Sequence, residues 1–180
     1  MNENRPCCCR KKNVRTKTVS LKFKRSELLY DCANLGYVHG DTMHTDDEHD
    51  RHQVMDIVED GNVDRVTRIL NLVMSEVREA LYPYTKVEAE NGESRVDTLT
   101  EVEEYTISML VPDEFSSTTQ TYLENLIHEL LVDRVMADWC SITYPEKEGI
   151  WRTKADEVLR NINKAKNFRM GKKLRPLHPW

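Results

Sequence analysis

The residues between His39 and His52 carry most of the ligand chemistry in this chain: His39, Asp41, His44, Asp46, Asp47, Glu48, His49, Asp50 and His52. Imidazole and carboxylate together suit a divalent metal ion. His49 and His52 stand three apart and would share one face of a helix. With His44 they are the candidate metal ligands. No matched ligand motif recurs elsewhere in the chain. The other reading is a solvated linker running into a helix N-terminus, where the helix dipole favours acids. That reading is preferred, and no metal or cofactor is expected.

Other groups with reactive chemistry give less. Cys7, Cys8 and Cys9 are consecutive, while Cys32 and Cys140 are isolated. An odd count without spaced pairs is no disulfide framework, and three adjacent thiols cannot easily wrap one tetrahedral zinc. Cys32 falls on an apolar helix face, where a thiol is a small buried hydrophobe. His128 and Glu129 are neighbours in sequence and so face different directions on a helix; His128 reads as a structural histidine. There is no P-loop, GxGxxG, paired CxxC or GxSxG. No catalytic residue and no enzyme is predicted.

The elements that position these residues are helical. From Ser117 to Tyr144 the apolar residues Leu123, Leu126, Ile127, Leu130, Leu131, Val135, Met136 and Trp139 recur at three- and four-residue steps, with Glu124, Glu129, Asp133 and Arg134 mostly off that face. Ser117 and Gln120 have capping-box spacing, and Pro145 ends the helix. Ser26 is the expected N-cap of a helix over 27–35 closed by Gly36. Residues 54–58 make a short helix to Gly61, and Asn62 caps a second long helix from Val63 to Tyr82. A further helix runs from Ile150 to Lys166, antiparallel to its predecessor because the link is short. Val19, Leu21 and Phe23 alternate with polar residues as in a short strand. Segments 84–90 and 98–111 flank Asn91-Gly92, which signals a hairpin. The fold class is therefore mainly α: a bundle of four or five helices with an inserted β-hairpin. Its parts are a flexible basic arm (1–20), a helical domain (21–166, hairpin about 84–111) and a basic tail (167–180). Charges interrupt every long apolar window, so no membrane span is expected. No apolar run follows the basic N-terminus, so no secretory signal is expected.

Charge is sharply divided. Residues 1–25 hold nine basic side chains against Glu3, a net +8, and residues 164–180 hold six with no acid. The chain's net −5 thus conceals −19 in between. Tails of this kind seek acidic partners, either nucleic acid or an acidic protein surface. The candidate partner-binding residues are Arg10, Lys11, Lys12, Arg15 and Lys17 at one end. At the other they are Arg169, Lys172, Lys173 and Arg175, with the anchors Leu174, Leu177 and Trp180. The acidic segments around Glu101, Glu103 and Glu104 and over 46–50 are the candidate receptors.

Four segments carry a family resemblance: FKRSELLYDCANLGYVHGD, DEHDRHQVMDIVEDGNVDRVTRIL, TLTEVEEYTISMLVPDEFS and LIHELLVDRVMADWCSITYP. Together they resemble a family of small proteins encoded in prophage-type structural gene clusters of gut anaerobes. The resemblance covers roughly residues 23–165 and defines no catalytic site. The closing helical pair is similar in outline to head–tail connector (adaptor) proteins of tailed phages. That resemblance implies a homo-oligomeric ring, often a dodecamer, seated between portal and tail. Its partners would be other copies, the portal protein, other neck or tail proteins and packaged DNA. Its location would be the virion neck, with the host cytoplasm during assembly. The chain departs from the compact connector pattern in its long basic arm and acidic hairpin. The alternative is a non-virion nucleic-acid-binding or regulatory module that uses the basic tails.

Overall fold

The computed structural model describes residues 15–45, 47–87 and 102–167. Among them are two strands and five α-helices: β1 (Thr16–Lys24), α1 (Arg25–Thr42), α2 (Glu48–Met55), α3 (Asp60–Ala80), β2 (Glu104–Pro112), α4 (Ser117–Thr143) and α5 (Pro145–Ala165). A single 3-10 turn, Asp56–Val58, joins α2 to α3. The fold is mainly α with one small antiparallel sheet, as the periodicities predict.

The sheet is amphipathic. Val19, Leu21 and Phe23 of β1 and Tyr105, Ile107, Met109 and Val111 of β2 are buried. The residues between them face outward, following the two-residue period of a strand. The partner of β2 differs from the one expected. β2 pairs antiparallel with β1, from Thr16 opposite Pro112 to Lys24 opposite Glu104. Residues 84–87 lie in no strand, although Leu110 N donates to Tyr84 O at 2.8 Å. Residues 88–101, with Asn91-Gly92, lie outside the described residues. The boundary of the basic arm also moves: β1 begins at Thr16, so Lys17 is a strand residue.

α4 is the hub. It packs against α5, α3, α1, α2 and β1. From Leu130 to Cys140 every residue except Arg134 and Asp138 is buried, the pattern of a helix enclosed on all sides. Asp133, expected off the apolar face, is fully buried. The cap is Ser116 rather than Ser117: its hydroxyl accepts from Thr118 N at 3.2 Å. Gln120 instead donates to Glu124 Oε1. α5 starts earlier than its apolar residues imply. Pro145 occupies its first turn, where a fixed φ and a missing N–H cost nothing, and Glu146 and Glu148 complement the dipole.

Two expected helix boundaries are displaced by packing. Gly36 does not end α1, which continues to Thr42. A Cβ at Gly36 would lie 3.0 Å from Ile57 Cγ2 and 3.1 Å from Val54 O; at Gly40 it would lie 2.6 Å from Met55 Cγ and 2.9 Å from Arg51 O. Both glycines therefore serve the close approach of the α2 segment. Trp139 Nε1 donates to Val54 O at 2.9 Å and fixes that segment to α4. Asn62 does not cap α3, whose N-cap is Glu59. The Asn62 side chain donates to Asp56 O at 2.7 Å.

Candidate assembly surface

The metal-ligand candidates do not converge. Asp47 caps α2, accepting from His49 N at 2.9 Å, and Thr45 Oγ1 accepts from Asp47 N. The His49 ring is hydrogen-bonded to Gln53 Nε2 at 2.8 Å. His44 and His52 are exposed. Among the described residues, no group of three His, Cys, Asp or Glu side chains is placed to hold an ion. The segment is the entry to a helix N-terminus, with acids in its first turn. His39 belongs elsewhere: its ring meets the Trp151 ring edge-on at 5.4 Å. Burial, then the Lys147 ammonium, hold it below the ordinary imidazole value.

Cys32 and Cys140 are buried. Burial, with help from Asp31, pushes the Cys32 thiol up to about 12, and burial, with help from Glu148, pushes Cys140 up to about 11. Neither offers a thiolate near neutral pH. His128 Nε2 and Asp31 Oδ2 share a hydrogen bond of 2.7 Å that ties α4 to α1.

One polar cluster lies where sequence patterning does not predict it. The Lys154 ammonium of α5 sits 2.9 Å from Asp133 Oδ1 and also binds Glu129 Oε1. Arg134 Nη2 pairs with Glu76 at 3.0 Å and Asp156 at 3.3 Å. The first group joins α4 to α5, and the second joins α4 to both α3 and α5. Neither Asp133 oxygen accepts a well-directed hydrogen bond, so the carboxylate depends on the ammonium alone.

Of the basic candidates within the described residues, Lys17 is engaged by its own chain, as are the neighbouring Lys22 and Lys24 of β1. Lys17 Nζ donates to Phe115 O at 2.8 Å. Lys22 pairs with Glu104 at 2.9 Å and Lys24 with Glu27 at 2.8 Å. Arg15 is exposed, and its carbonyl accepts from Asp113 N. Glu103 is exposed, and its carbonyl accepts from Arg25 N at 3.0 Å. Glu104 is thus half-neutralised by Lys22 before any tail arrives. Arg10, Lys11, Lys12, Glu101, Arg169, Lys172, Lys173, Leu174, Arg175, Leu177 and Trp180 lie outside the described residues.

A surface that the sequence patterning passed over stands on α1. Its inner face is Leu28, Cys32, Gly36 and Gly40. On its outer face Tyr30 is 72% exposed, Tyr37 60% and Val38 47%. Glu27, Asn34 and Asp41 lie exposed on the same face, and the half-buried Asp31 borders it. No Lys or Arg occurs between Ser26 and Thr42. The available signal is a seven-residue spacing of two tyrosines opposite the apolar face, which places large rings on the solvent side. At the Tyr30 end an open depression of about 320 Å³ is lined by Ser26, Glu27, Tyr30, Asp31 and His128. No helix among the described residues is long and apolar enough to cross a membrane. No protein-family model, no curated protein and no solved structure matches the chain.

Proposed function

We propose that the protein is a structural component of a tailed-phage particle, a neck adaptor whose copies form a ring between portal and tail. The observation that carries the reading is the division of charge, a net −19 between two basic ends of +8 and +6. An acidic body repels its own copies, and basic ends exchanged between neighbours offset that repulsion. The resemblance of the four sequence segments and the closing helical pair α4–α5 support the same reading. Among the described residues the histidines of 39–52 are dispersed and the thiols of Cys32 and Cys140 are buried.

The nucleic-acid alternative draws its support from the same tails. It draws none from β1, whose Lys17, Lys22 and Lys24 are each bonded within the chain. Mass spectrometry and cryo-EM of purified particles test the neck reading. The expected result is the protein at ring stoichiometry beneath the portal, and its absence from mature particles overturns the proposal. A gel shift discriminates the alternative. Binding through about six phosphate contacts falls at least ~10³-fold between 50 and 200 mM salt, so tight binding that survives physiological salt favours a nucleic-acid module.

A further inference from the structure

The outer face of α1 combines large exposed rings, Tyr30 and Tyr37, with acids and no Lys or Arg of its own between Ser26 and Thr42. Tyr30 and Tyr37 are seven residues apart, about 10 Å along the helix axis. Exposed apolar surface rimmed by charge marks a binding site. Its occupant must bring apolar groups and positive charge together. The α1 face of a second copy cannot, because Glu27, Asp31 and Asp41 would meet themselves. Within this chain two stretches are strongly basic. Residues 1–15 contain no aromatic residue and only Val14 among the large aliphatics. Residues 172–180, Lys-Lys-Leu-Arg-Pro-Leu-His-Pro-Trp, contain Leu174, Leu177 and Trp180 at three-residue spacing, with Lys172, Lys173 and Arg175 beside them.

We infer that the carboxy-terminal segment of one copy docks on the outer face of α1 of a neighbouring copy. This deepens the assembly reading and rests on its premise that copies of the chain meet. The spacing is suited to it. A polyproline II segment repeats every three residues and rises about 9 Å in that interval. It would set Leu174, Leu177 and Trp180 along one edge, close to the step between Tyr30 and Tyr37. The depression beside Tyr30 receives one of these side chains; Asp41 faces the basic side chains, and Glu27 and Asp31, already bonded to Lys24 and His128, add to the negative field around it. Docking between copies sets Lys172, Lys173 and Arg175 against the acidic body of a neighbour. Docking within one chain would leave acidic bodies to meet without them.

Photo-crosslinking of the full-length chain tests this. Tyr37→p-benzoylphenylalanine protein is prepared with light and with heavy nitrogen, mixed, irradiated and mapped by peptide mass spectrometry. The expected product joins position 37 to residues 168–180, with light–heavy pairs as frequent as random exchange predicts. Changing Leu177→Ser and Trp180→Ser together in the full chain should lower its yield about tenfold, since a few buried anchors dominate such contacts. Cross-links confined to one isotope, cross-links to other segments, a yield indifferent to the anchor changes, or no cross-link at all would each overturn the inference. Particles that lack the protein would remove the neck reading and leave a mixed cross-link standing. A protein present in the neck that gives no mixed cross-link would remove this inference alone.

Discussion

A single buried carboxylate shows how residue chemistry is set by the helices around it. Asp133 and Arg134 are adjacent in sequence and read as the polar side of an amphipathic helix. In the fold Asp133 is fully buried while Arg134 reaches the rim. The difference was not legible, because it depends on α5 closing over that side of α4. Lys154, 21 residues away, supplies the compensating charge. Burial pushes the Asp133 carboxyl above its ordinary value of 3.8; the Lys154 ammonium pulls the other way, and Glu129 adds to the rise. A carboxyl raised on folding binds more protons in the native state. Its contribution to stability therefore falls as pH rises from 3.8 to the raised value. Asp133→Asn should gain stability relative to the parent across that rise and then hold level. Urea denaturation of both proteins from about pH 4 to about pH 7 measures the difference, and parallel curves would contradict it. Removing the other partner has the opposite effect. Lys154→Met leaves a buried carboxylate unpaired and should cost about 1–3 kcal/mol. Combining it with Asp133→Asn should recover part of that loss, because contacting residues are not additive.

At the scale of elements, local patterning was read correctly where an element is defined by its own face and misread where a neighbour defines it. α3 and α4 lie close to where their apolar spacing puts them, and the alternation of residues 105–111 does mark a strand. The partner of that strand was misread. Asn91-Gly92 is a strong local hairpin signal, whereas nothing local ties β2 to β1, at the far end of the helices. Gly36 was misread for a related reason. A glycine after an apolar run marks a helix end by default, but here the missing side chains admit the α2 segment. This separates the glycines into two classes with opposite predictions. Gly40→Ala puts a Cβ 2.9 Å from Arg51 O. Overpacking of about 1–3 kcal/mol should outweigh a helix-propensity gain of about 1 kcal/mol, so Tm falls. Gly149, inside α5, has nothing within 4 Å of the same position. Gly149→Ala should raise stability by about 0.5–1 kcal/mol. Thermal melts of the two variants give the signs directly, and a stabilised Gly40→Ala would mean that α2 does not lie across α1 at that point.

Over the whole molecule, assembly is a competition between two electrostatic terms with different ranges. Repulsion between bodies of charge −19 acts across the separation of their centres. Attraction between a basic tail and the acids it touches acts at contact. Salt screens the first before the second: the Debye length is about 30 Å at 0.01 M and about 8 Å at 0.15 M. Raising salt from low to physiological strength should therefore strengthen self-association, because bodies stop repelling while contact pairs persist. Raising it further, toward about 1 M where the length is about 3 Å, should weaken association as the contact pairs are screened in turn. Individual exposed pairs contribute only about 0–1 kcal/mol, so several must act together with the apolar anchors. Removing residues 168–180 deletes the attractive term at one end and leaves the buried core of 15–167 untouched. The truncated chain should keep its circular dichroism spectrum and its melt. It should lose association at physiological salt, and any residual association should rise steadily with salt instead of passing through a maximum. Sedimentation velocity of both chains across the salt series reads this as the population of species at multiples of 21.1 kDa. A full-length chain whose association only falls as salt rises would show that body repulsion is not the term the tails oppose. A truncated chain that associates as well as the full chain would show that the carboxy-terminal tail does not join the copies.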